Sequence, residues 1–138
     1  MAMSLISMIE SKLVTATVTA ARPSGAGDGV DITSWRWSGI GIGAPAWAAL
    51  FLDGSEAQTL ASPTGGDEGP ELWGYAMSQW WRIGVINNGA DVAIAGATQG
   101  AASRISVIGI FDRLALAATP SVGTCTVKLV PIQESLHQ

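Results

Sequence analysis

"SQWWRIGVINNGADVAIAG", residues 78–96, sets the reading of the fold. Trp81, Ile83 and Val85 alternate on one side of Asn88-Gly89, and Val92 and Ile94 follow on the other. Asn-Gly between alternating apolar residues is a strong hairpin signal. A two-residue primed turn there pairs Val85 with Val92 and Ile83 with Ile94, and sets Trp81 across from Gly96. These apolar residues then share one face, an agreement that a one-residue slip would destroy. The opposite face holds Trp80, Arg82, Gly84, Ala93 and Ala95. There Trp80 is either an exposed aromatic or one buried by something outside the hairpin.

The same period of two runs through most of the chain. "LVTATVTA" (13–20) puts Val14, Ala16 and Val18 on one face and Thr15, Thr17 and Thr19 on the other, a half-buried strand. "VDITSWRWSG" (30–39) reads as extended, with Trp35 and Trp37 on one face and Ile32 and Arg36 on the other. "AWAALFLDGSEAQTLA" (46–61) reads as a hairpin turning near Asp53-Gly54, with one helical turn over "WAALFL" as the alternative. Further strands are expected at 72–87, 91–95, 104–110, 113–119 and 124–132. In the last two, Leu114 and Leu116 share a face, as do Cys125, Val127 and Leu129. Gly and Pro punctuate the joints, and no helical stripe is sustained. About eight short strands in one domain imply an all-β sandwich of jelly-roll type. Residues 1–11, with Leu5, Ile6, Met8 and Ile9, form an N-terminal arm or short helix ahead of a sandwich domain over 12–138. "ASPTGGDEGPE" (61–71) reads as a solvent-facing loop.

Composition bounds the function. The 138 residues are 48% hydrophobic and only 13% charged, about half the roughly 25% usual in soluble domains. So few ionic groups are easier to understand on a surface that other subunits cover. A net charge of −4 with scattered basic residues speaks against nucleic acid. The longest apolar run, "APAWAALFL" (44–52), is too short for a membrane helix. Lacking a basic leader, the start of the chain makes a poor signal peptide, so cytoplasmic synthesis is expected.

Catalysis finds little support. The single histidine, His137, stands next to the last residue. Cys125 has no base near it in sequence and reads as a small buried hydrophobe. "GIGAPA" (41–46) matches a dinucleotide pattern, but no strand-helix framework follows it. Loop carboxylates in "GDGVD" (27–31) and "GGDEGPE" (65–71) match no ordered calcium loop, and no cofactor or metal is expected. Asp112 and Arg113 suggest a local pairing or an intersubunit ion pair. Six tryptophans are many for this length. Core packing, interface anchoring and sugar stacking all compete to explain them.

"SRISVIGIFDRLALAATPSVGTCTVKLV" (103–130), preceded by "WWRIGVINNGADVAIAG", resembles the C-terminal strands of small tailed-bacteriophage virion proteins. The resemblance spans the last third to half of the chain. It implies a jelly-roll-like head decoration (cement) protein in the virion, a trimer that bridges neighbouring major capsid subunits and lacks catalytic residues. Tail, adaptor and fibre proteins use similar domains. On that reading Trp35, Trp37, Trp80 and Arg82 are the interface anchors, and the arm residues Leu5, Ile6, Met8 and Ile9 dock on the shell. The alternative is a carbohydrate-binding receptor module. In it Trp80 or Trp35 and Trp37 form a sugar platform, and Asp28 and Asp31 help through Ca²⁺.

Overall fold

The computed structural model describes residues 3–8, 10–37, 47–54, 56–65, 68–96, 99–106 and 111–137, with backbone alone at 3–8, 36–37, 47, 49, 104–106 and 133–137. Twelve strands and three short 3-10 turns are the regular elements among them. The first sheet joins β1 (Met3–Met8), β2 (Val14–Thr17), β4 (Trp47–Gly54), β9 (Ala101–Ser106) and the long β12 (Cys125–His137). Its order is β1-β12-β4-β9, and β2 pairs with β12 beside β1. The second sheet runs β3-β10-β6-β7, from β3 (Val30–Asp31), β10 (Arg113–Ala117), β6 (Glu71–Ala76) and β7 (Gln79–Val85). A third, small sheet joins β11 (Thr119–Pro120), β5 (Gln58–Ala61) and β8 (Val92–Ile94). Every strand pair is antiparallel. The molecule is all-β, and its sheets pack as a β-sandwich.

Alternation builds the core. Leu50 and Leu52 of β4 and Cys125, Val127 and Leu129 of β12 point inward and are buried. They meet Leu72, Leu114 and Leu116 of the second sheet in one cluster, which Leu60, Val92 and Ile94 of the small sheet extend. Val14, Ala16 and Val18 join that cluster while Thr15 and Thr17 stay exposed, as the period of two requires. Cys125 is a buried packing residue, and burial pushes its thiol pKa up.

Two pairings and one strand read from the sequence are corrected. The hairpin closed by Asn88-Gly89 does not form. β7 pairs with β6 and β8 with β5, in different sheets. Asn87, Asn88 and Gly89 all have positive φ, so this segment does turn sharply, yet the turn carries the chain from one sheet to the other. The hairpin that does form is β6–β7, closed by Met77-Ser78 at φ 53° and 62°. The Asp53-Gly54 corner likewise joins β4 and β5 of different sheets. Finally, 30–39 is no single strand. Among its described residues, 30–37, only Val30–Asp31 is a strand, and Thr33–Trp37 is a 3-10 turn. Trp35 and Trp37 therefore do not line one strand face.

The arm is extended rather than helical. β1 lies along the far end of β12, with Leu5 opposite Ser135 and Ile6 opposite Glu134. Ile9 and "GIGAPA" (41–46) lie outside the described residues.

Candidate functional site

Trp35 is 1% exposed, sits in the main core and donates its indole N–H to the Lys12 carbonyl at 2.8 Å. Burial in the chain's own core removes it as an anchor. For Trp37 only the backbone is described. Trp80 and Arg82 share a face, the one turned away from the main core, as alternation predicts. On that face Tyr75 lies opposite Trp80 and Trp73 opposite Arg82. The face is not open, however. The connection over residues 20–29 folds across it and leaves Trp80 only 8% exposed.

Several contacts hold that connection down. Trp80 donates its indole N–H to the Gly25 carbonyl at 2.8 Å, and its ring packs 5.2 Å from that of Tyr75 at a tilt of 56°. Gly29, at φ 69°, lets the backbone lie against the ring, because a Cβ there would sit 2.9 Å from Trp80 Cη2. Arg113 reaches across β10 to the carbonyls of Asp28 at 2.7 Å and of Gly27 and Gly29 at 3.2 Å. Its partners are thus carbonyls of its own chain, some 85 positions earlier.

Glu71 centres the polar part of this contact. Its side chain is fully buried and takes a bidentate pair from Arg22, with both bonds 2.8 Å long. Trp73 Nε1 donates to it at 3.1 Å and Arg82 Nε at 3.2 Å. Arg82 also bonds Glu68 at 3.0 Å, and the Arg22 guanidinium lies 5.8 Å from the Trp73 ring centre. The Arg22 pair, aided by the Trp73 and Arg82 donors, holds the Glu71 carboxyl at a pKa of about 2 despite its burial. Every charge in the cluster is matched, so it fastens the connection and offers no reactive group. Arg82, expected as an anchor, gives Nε to Glu71 and Nη2 to Glu68 and keeps 38% of its side chain exposed.

Among the described residues, two larger surfaces and one smaller cleft remain open. One is the tip of the β6–β7 hairpin, at the edge of the second sheet. Met77 is 82% exposed and Trp81 41% exposed. Trp81 donates its indole N–H to the Ala76 carbonyl at 2.9 Å, which leaves an apolar ring facing water. Sequence reading sets Trp81 across from Gly96 on the apolar face of a hairpin that does not form. The other is a groove of about 560 Å³ between β2 and the 20–29 connection, lined by Thr15, Thr17, Arg22, Ser24 and Asp28 among others. Asp28 caps its own loop, accepting the Ser24 and Gly25 N–H groups at 2.9 Å. A smaller cleft of about 230 Å³ lies among Leu52, Ile86, Val92 and Ala101. Among the described residues no group of His, Cys, Asp and Glu is placed to hold a metal ion.

Compared with protein-family models, with characterised proteins and with solved structures, the chain matches none of them.

Proposed function

We propose that this chain is a non-enzymatic virion structural protein, a capsid decoration protein that stabilises a phage head by bridging neighbouring major capsid subunits. Met77 carries the reading. It places a flexible apolar side chain almost wholly in water, on a left-handed backbone that costs a non-glycine residue about 1–2 kcal/mol. The two-residue turn of the β6–β7 hairpin calls for that backbone but not for an apolar side chain on it, where Asn or Gly would serve, and such outliers gather where a surface has work to do. Trp81 stands on the same hairpin with its polar group already bonded. A ring held this way loses little freedom on burial, which suits an interface anchor.

Strand order supports the more specific jelly-roll form. With β1 and β2 counted as one strand and the small sheet set aside, the sheets read 1-8-3-6 and 2-7-4-5 along the chain. That is the winding of a double Greek key, an architecture used by viral capsid domains. The arm at Met3–Met8 remains the proposed second contact with the shell, through Leu5, Ile6, Met8 and Ile9. A trimer around a symmetry axis would multiply these contacts.

The test is binding of purified chain to empty shells assembled from tailed-phage major capsid proteins. Trp81→Ala should weaken binding at least tenfold, about 1.4 kcal/mol, while leaving the melting temperature near its original value. Equal affinity in Trp81→Ala and the unaltered chain would overturn the assignment.

A further inference from the structure

We propose that the groove between β2 and the 20–29 connection binds a neutral polyhydroxylated ligand, a short glycan. This site is separate from the hairpin tip and does not depend on the assembly reading. Its volume of about 560 Å³ falls within the ordinary range of small-ligand clefts. The chemistry of its walls points to the ligand class. A sugar presents adjacent hydroxyls that each donate and accept, so its site needs donors and acceptors side by side. Thr15 and Thr17 on β2 and Ser24 on the connection supply hydroxyls that do both. Arg22 gives Nε and Nη2 to Glu71. Asp28 uses Oδ2 for its loop. Arg22 Nη1 and Asp28 Oδ1 have no protein partner among the described residues, and Arg22 keeps 43% of its side chain exposed.

The charge balance excludes the obvious competitors. The lining carries one cation and one anion, and the cation is already matched by Glu71. An acidic sugar, a phosphate or a nucleic-acid strand would meet Asp28 without an unspent positive charge to hold it. Asp28 stays ionised because the Ser24 and Gly25 N–H groups, with the nearby Arg113 charge, draw its pKa down. The walls are also set before any ligand arrives. Trp80 fixes the Gly25 carbonyl, and Arg113 fixes those of Gly27, Asp28 and Gly29. A preset wall spares the ligand the entropy of ordering the loop.

An array printed with neutral oligosaccharides beside sialylated and sulfated ones tests this directly. At least one neutral glycan should bind. The double variant Thr15→Val, Thr17→Val keeps β-branched side chains on the strand but removes both hydroxyls, and it should lose tenfold or more of that signal. Amide shifts of the unaltered chain, titrated with the best neutral glycan, should fall at 15–17 and 24–28. An array that responds only to charged glycans, or to none, would overturn the proposal. So would undiminished binding by the double variant, or amide shifts confined to other parts of the fold. Shell binding, read separately through Trp81→Ala, does not bear on this result.

Discussion

At the scale of single residues, adjacent tryptophans have opposite environments. The Trp80 ring rests on Gly29 and Tyr75 and binds Gly25 through its N–H, whereas the Trp81 ring faces solvent and bonds only its own hairpin. Trp80→Ala should therefore destabilise the fold by about 3 kcal/mol, and Trp81→Ala by well under 1 kcal/mol. Urea unfolding of both variants measures the difference, and equal losses would contradict the placement. Glu71 gives a prediction in pH. Its folded pKa of about 2 lies below the usual carboxylate value of 4.5, so the unfolded chain binds the proton more readily. The Arg22 and Arg82 contacts thus add stability that is fully present above about pH 5. It fades as the pH falls towards 2, by on the order of 2–3 kcal/mol. Glu71→Gln should lower the melting temperature at pH 7 and flatten its decline in acid. A decline as steep as in the unaltered chain would show that other carboxylates govern it.

At the scale of elements, the β6–β7 turn is open to improvement. Met77 and Ser78 occupy left-handed positions that Asn and Gly adopt at little cost. Replacing them by Asn-Gly should stabilise the isolated chain by about 1–2 kcal/mol and weaken shell binding, because Met77 is gone. A variant that is more stable and binds shells as well as before would separate Met77 from the interface. The 20–29 connection gives a second measurement. Arg113→Ala removes the bonds to Gly27, Asp28 and Gly29, so amide exchange at 24–29 should quicken while β12 stays protected. Strands whose faces differ in polarity were legible from sequence: β2, β10 and β12 bury the residues that their alternation selects. Partnership was not. Asn87-Asn88-Gly89 announces a turn but says nothing of which strand lies next to which, and Met77-Ser78 carries no turn signature at all. The cover on Trp80 comes from residues some 55 positions earlier, beyond the reach of any local pattern.

For the whole molecule, eighteen formally charged side chains serve 138 residues, and several of them are spent internally. Arg22 and Glu71 fasten the 20–29 connection, Arg113 binds its carbonyls, and Arg82 is shared between Glu71 and Glu68. What remains is a surface thin in charge, with Met77, Trp81 and Val85 exposed on one hairpin. Isolated apolar residues are ordinary on a protein surface, but Met77 and Trp81 stand near one turn on an edge strand, which suits coverage by the proposed partner subunit. If this sandwich works in an assembly, sedimentation velocity of the purified chain, alone and mixed with empty shells, will show it. The chain should sediment with the shells and saturate at a fixed ratio to capsid subunits, and Trp81→Ala should co-sediment at least tenfold more weakly. A monomer that stays in the supernatant at every shell concentration would contradict it.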